Sequence, residues 1–276
     1  MKRKKKTDHA EKDRWHKGIY ILPNIFTTMN LFCGFTSIIA SMEGAFNRSA
    51  LLILGGMVFD VLDGKIARAT RTTSRFGIEY DSLADLISFG LAPGLLMYLW
   101  ALKPLGKLGW IAALIFLACG ALRLARFNTA AGTTDNRWFT GLPIPAAAGM
   151  VATTILLFNR AGLKVPDSFM LYVMLGCLYV LSFLMVSSIK YVSFKKLPPV
   201  LVHAKNFNLL VFAVLLLVFI VQEPTVAVFT MVLLYIVAGP VTAFRRHTTE
   251  EKSFNDLAEH PDAGPSGTDQ QSTPYI

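Results

Sequence analysis

Charged side chains are scarce in this sequence: Asp, Glu, Lys and Arg make up 16% of its 276 residues, against 53% hydrophobic ones. A soluble domain carries roughly 25% charge, so this composition excludes an ordinary soluble fold and points to an integral membrane protein. Cysteine is sparse too. Cys33, Cys119 and Cys177 fall in three separate apolar runs with no CxxC or Cys/His spacing, which excludes a thiolate metal motif and leaves them as small buried hydrophobes. The five histidines (His9, His16, His203, His247, His260) lie in tails or loops without HExxH spacing and are assigned no metal. The alternating pattern of a membrane barrel is missing. No cleavable leader is expected, because MKRKKK is followed by the polar stretch TDHAEKDRWHKG rather than by a short apolar core.

Long apolar runs are what the sequence does have. They recur at about 24–42, 49–68, 82–101, 109–127, 144–160, 168–189, 207–222 and 225–243, each near the roughly 20 residues that cross a bilayer as a helix. The expected fold is therefore all-α with about eight spanning helices, the second and fourth crowded by charge at their ends. Of the 27 Lys and Arg residues, Arg48, Lys103, Lys107, Arg160 and Lys164 fall on one side and the remaining 22 on the side of the N-terminus. This asymmetry places both termini in the cytoplasm. The net charge of +9 is thus a topology signal with some attraction to anionic lipid, and no nucleic-acid partner is read from it. Residues 1–18 read as a basic cytoplasmic arm, 19–190 as a six-helix catalytic core, 191–244 as two additional spanning helices set off by KKLPPV at 195–200, and 245–276 as a disordered cytoplasmic tail.

Against this apolar background the stretch FDVLDGKIARATRTTSRFGIEYDSLADL, residues 59–86, carries Asp60, Asp63, Asp81 and Asp85. Spacings of three and four residues put each pair on one face of its own helix, and the topology brings both faces to the cytoplasmic side of the membrane. Four uncompensated carboxylates there would repel one another at a cost of several kcal/mol each, so a cation is required. Oxygen ligands with no nearby His or Cys favour Mg²⁺, Mn²⁺ or Ca²⁺, and four carboxylates suit a pair of such ions about 3.5–4 Å apart. Gly64, Ala67 and Gly77 strip the neighbouring faces of side chains, and Arg68, Arg71 and Arg75 offer positive charge for phosphate oxygens. Taken singly, an Asp at a helix start or an Arg beside the membrane has an ordinary explanation. Their joint spacing does not.

Written as Asp60-x2-Asp63-Gly64-x2-Ala67-Arg68-x8-Gly77-x3-Asp81-x3-Asp85, the stretch resembles the signature of the CDP-alcohol phosphatidyltransferase family at every fixed position. The resemblance implies a six-helix core, a homodimer and a site on the cytoplasmic side of the inner membrane. It further implies that Asp60, Asp63 and Asp81 hold divalent metal, Mg²⁺ or Mn²⁺, two ions per site, and that Asp85 is the general base and approaches the second ion. Gly64, Ala67 and Gly77 would make room for the cytidine nucleotide of CDP-diacylglycerol, with Arg68 beside its diphosphate.

ILPNIFTTMNLFCGFTSI (21–38), RLARFNTA (123–130) and FTGLPIPAAAG (139–149) are similar to the bacterial and archaeal branch of that family that takes L-serine as acceptor. The resemblance covers roughly residues 19–190. Asn24, Thr27 and Asn30 border the nucleotide or serve in capping and interhelical bonding. Arg75, Arg123, Arg126 and Asn128 are candidate contacts for the acceptor or a phosphate, or else anchors at a helix end. Gly141-Leu142-Pro143-Ile144-Pro145 reads as a rigid lead-in to the fifth span. The alternatives are another acceptor within the family, glycerol 3-phosphate or an inositol phosphate, which would demand a denser basic pocket, and a cation transporter, which the clustering of the carboxylates at one membrane face disfavours.

Overall fold

The computed structural model describes residues 2–70, 74–130, 138–163, 168–192 and 221–259. Helix α1 (Lys2–Met42) is followed, after a turn at Gly44 with φ 76°, by α2 (Phe46–Thr70). The third span opens as α3 (Arg75–Asp85) and runs without a break through a π-helical stretch at Leu86–Leu91, α4 (Ala92–Met97), a second π-helical stretch at Tyr98–Leu102 and a 3₁₀ turn at Lys103–Leu105. Pro93 sits in this rod and has no N–H to donate. The widened turn just before it is seen in the bond from the Ala92 N–H to the Ile87 carbonyl. Then follow α5 (Lys107–Ala130), β1 (Trp138–Thr140), α6 (Ile144–Arg160), α7 (Ser168–Val186), β2 (Lys190–Val192) and α8 (Pro224–Glu259).

Leu22–Met42, Arg75–Leu105, Lys107–Thr129, Phe169–Val186 and Pro224–Thr242 are long and apolar enough to cross a membrane, and Ile144–Arg160 is a shorter apolar helix. The protein is thus an all-α, multi-pass membrane protein. One antiparallel ribbon supplements the helices, pairing Phe139 of β1 with Tyr191 of β2. Helix α2 is not among the five, because Asp60, Asp63, Lys65 and Arg68 crowd its last turns. Residues 207–220 of the expected seventh span lie outside the described residues.

Residues 2–18 belong to the same helix as the first span, and α8 continues to Glu259. Both segments are rich in Lys, Arg and Glu taken together, good helix formers, and each extends a helix already nucleated by its span. Helix α8 is not peripheral. Its Ile236 is 7% exposed within the core that holds Phe89, Leu96, Phe116, Ile144 and Leu178. The Tyr191 hydroxyl donates to the Ile236 carbonyl at 3.4 Å, and Gly239 is required opposite it, since a Cβ there would collide with the Tyr191 ring.

Helix α1 packs against both α2 and the third span. Ser37 and Ser49 hydroxyls lie 2.7 Å apart across the first contact, with Ser41 bonded to the same Ser49. At the second, Gly34 faces Ser88, and the Ser88 hydroxyl donates to the Asn30 carbonyl at 2.9 Å. The lead-in to α6 is rigid as expected: Gly141, at φ 80°, donates its N–H to the Ile189 carbonyl at 2.8 Å, and Leu142 donates to the Leu184 carbonyl at 2.9 Å.

A Cβ at Gly34 would lie 2.6 Å from Ser88 Cα. Gly34→Ala is therefore expected to force α1 off the third span at a cost of about 1–3 kcal/mol, read as a fall of several degrees in the thermal unfolding midpoint in detergent. An unchanged midpoint would contradict this close crossing.

Candidate active site

Helix α2 delivers Asp60 and Asp63, and α3 delivers Asp81 and Asp85. One carboxylate oxygen from each of Asp60, Asp63 and Asp81 lies within 4.8 Å of the others, so the two helices do bring their acidic faces together. Asp85 stands apart from this trio. It lies one helical turn, about 5.4 Å, deeper along the third span, is 8% exposed, and accepts a hydrogen bond at Oδ1 from Asn30 Nδ2 at 2.9 Å. Asp85 is thus outside the 4.8 Å set, while its charge still interacts with those of Asp60, Asp81 and Asp63.

Helix α1 orients this cluster. The Thr27 hydroxyl donates to Asp63 Oδ2 at 2.9 Å, as Asn30 does to Asp85. Asp63 is 4% exposed and is also in hydrogen-bond contact with the Gly64 backbone and with Asp81. Asp81 Oδ1 is buried and has no hydrogen-bond partner. Clustered carboxylates with open lone pairs and one orphaned oxygen form a hard-oxygen donor set that fits a divalent cation.

Two of the trio, Asp63 and Asp81, line a cavity of about 150 Å³ together with Asn24, Thr27, Gly64, Ala67, Arg68 and Gly77. Those last six are the residues that the signature motif and the first span had marked. Their roles in space are visible. A Cβ at Gly77 would stand 3.1 Å from Ser74 Oγ and 3.6 Å from Asn24 Oδ1, and one at Gly64 would stand 3.5 Å from an Arg68 guanidinium nitrogen. Both glycines keep backbone exposed to the cavity, and the lining residues include one cationic side chain, Arg68.

Pro23, Ser74 and Ile78 complete the lining and were not singled out from sequence. Ser74 could have been: it caps α3, accepting the Gly77 N–H at 2.9 Å, and a Ser at the start of an apolar helix is a capping signal.

The other candidates are scattered. Arg75 is exposed at the start of α3. Asn128 Nδ2 is engaged by Ser82 Oγ at 3.0 Å and Glu79 Oε2 at 3.3 Å, bracing α5 against α3, and Arg126 reaches the Val186 carbonyl at 3.5 Å. Arg123 alone faces the site. It is half-buried, its Nε has no hydrogen-bond partner, and its charge interacts with Asp85 and with Tyr235 of α8. Nothing in the sequence signalled Tyr235.

Two helices presenting carboxylates to a glycine-lined cavity fit the class of membrane-embedded transferases of phosphate-linked groups. The CDP-alcohol phosphatidyltransferase family model matches residues 20–244, and the chain belongs to that family. The match runs through residues 191–244, beyond the 19–190 that the motifs mark. The chain is 37% identical to the CDP-diacylglycerol–serine O-phosphatidyltransferase of Helicobacter pylori (strain J99) over 221 residues, 80% of this chain and 90% of that protein. It is 35% identical to the protein of the same name from Methanocaldococcus jannaschii over 82% of this chain and 96% of that one. It is also 37% identical to the archaetidylserine synthase of Methanothermobacter thermautotrophicus over 62% of this chain and 69% of that one.

Removing one of three charged ligands is expected to weaken Mn²⁺ binding by Asp81→Asn roughly tenfold or more. The metal-free variant should unfold no earlier than the wild type, because a mutual repulsion has been relieved. Titration of Mn²⁺ followed by the unfolding midpoint reads both effects; wild-type affinity in Asp81→Asn would remove Asp81 from the metal set.

Proposed function

We propose that the protein is a CDP-diacylglycerol–serine O-phosphatidyltransferase, moving the phosphatidyl group from CDP-diacylglycerol to the hydroxyl of L-serine to give phosphatidylserine and CMP. The observation that carries this reading is the meeting of Asp60, Asp63 and Asp81 at the edge of a cavity with Gly64, Ala67, Gly77 and Arg68 on its wall. The choice of serine is supported by the names of relatives that match most of the chain.

In this reading Asn24, Thr27, Gly64, Ala67 and Gly77 seat the cytidine nucleotide, and the bare backbone at the two glycines permits close approach. Arg68 holds diphosphate oxygens. A pair of divalent ions, Mg²⁺ or Mn²⁺, held by Asp60, Asp63 and Asp81 with Asp85 near the second, would supply Lewis-acid neutralisation of the diphosphate. Asp85 takes the proton from the serine hydroxyl. The serine oxygen forms a bond to the phosphorus bearing diacylglycerol while that phosphorus loses its bond to the bridging oxygen, which leaves with CMP. Arg123, beside Asp85 and with an open Nε, binds the serine carboxylate. Arg126 and Asn128, occupied by contacts within the protein, keep α5 in place.

The charge asymmetry supports a site and termini on the cytoplasmic face of the inner membrane, and the family resemblance supports a homodimer.

Purified protein incubated with CDP-diacylglycerol, Mn²⁺ or Mg²⁺ and a panel of labelled acceptors is expected to release CMP with L-serine and not with glycerol 3-phosphate or inositol phosphate. CMP release with one of the latter would overturn the acceptor. Asp85→Asn should lower turnover roughly 10²–10⁴-fold while leaving the fold and much of the metal affinity intact. Near-normal turnover would assign the base elsewhere.

A further inference from the structure

We infer that Asn30 is a positioning residue that fixes the Asp85 carboxylate for catalysis, and that Gly56 on α2 keeps the space Asn30 needs. The inference rests on the reading of Asp85 as the base. Asn30 is wholly buried, at 0% exposure, in the middle of a membrane-spanning helix. A primary amide there must justify its desolvation by hydrogen bonds. Its Nδ2 donates to Asp85 Oδ1 at 2.9 Å. This contact engages Oδ1 and fixes the orientation of the carboxylate, leaving Oδ2 for the serine proton.

Asn30 is itself held from two sides. Ser88, three residues beyond Asp85 on the third span, donates its hydroxyl to the Asn30 carbonyl at 2.9 Å, so main chain and side chain of one residue are both tied to the span that carries the base. On the opposite side lies Gly56, one helical turn before Asp60. A Cβ there would stand 2.9 Å from Asn30 Oδ1 and 3.6 Å from a Phe89 ring carbon. Asn30 Oδ1 is buried without a hydrogen-bond partner, so the amide is kept for the bond it donates rather than for any it accepts. Any side chain at residue 56 would push the amide off Asp85. Asn30 lines no part of the cavity beside the trio, which separates orientation of the base from substrate binding.

Loss of the hydrogen bond to the Asp85 carboxylate predicts a fall in kcat on the order of 10- to 100-fold in Asn30→Leu, which keeps the branched shape, and in Asn30→Ala. KM for CDP-diacylglycerol and for serine, Mn²⁺ affinity and the melting midpoint of Asn30→Leu should change little. Gly56→Ala should show the same split between kcat and KM. Because it acts through Asn30, it should cost nothing further when added to Asn30→Ala. A kcat retained by Asn30→Leu, a loss of activity that follows the melting midpoint, or additive effects of Gly56→Ala and Asn30→Ala would each overturn the inference. If the wild type uses an acceptor other than serine, the same ratios are read with that acceptor. The serine assignment then falls while the role of Asn30 is decided by its own numbers.

Discussion

Carboxylates gathered inside the membrane region of a protein repel one another and lose hydration, and the surrounding hydrocarbon does nothing to screen them. The meeting of Asp60, Asp63 and Asp81 within 4.8 Å is therefore the constraint on which the rest of the structure depends. An uncompensated cluster of this kind would cost several kcal/mol per group. Among the described residues no salt bridge pairs an Asp of the trio with a cation. Arg68 stands by the cavity wall and Arg123 by Asp85, but the trio keeps open oxygens, the orphaned Asp81 Oδ1 among them. That arrangement suits groups meant to share a cation supplied from outside the chain.

Helix α1 carries no acid of the site, yet it sets the geometry. Thr27 bonds Asp63 on α2, and Asn30 bonds Asp85 on the third span. One face of α1 thus registers two helices whose acidic residues have every electrostatic reason to separate. The close crossing at Gly34 and the Ser88 bond to the Asn30 carbonyl lock that register with small groups and backbone, the means by which helices associate where burial of apolar surface gives no net drive. The π-helical turn that begins at Leu86, immediately after Asp85, adds a local widening at the same level; such turns recur at functional sites. Tyr235 extends the support outward, linking α8 to the surroundings of Arg123.

The spanning helices and the acidic pairs were legible in the sequence because they obey local rules. Apolar length gives spans, three- and four-residue spacing gives faces, and glycine beside aspartate marks open backbone. What was hidden depends on contacts between segments far apart in the chain. The Asn30 contact with Asp85 crosses 55 positions and that of Tyr191 with Ile236 crosses 45, and neither has a local signature.

Anomalous diffraction from crystals of the full chain grown with Mn²⁺ tests the central claim most directly. The account predicts density for manganese within coordination distance of the Asp60, Asp63 and Asp81 carboxylates, facing the cavity that Gly64 and Gly77 line. Ordered manganese elsewhere, with those three carboxylates turned away from one another, would contradict it.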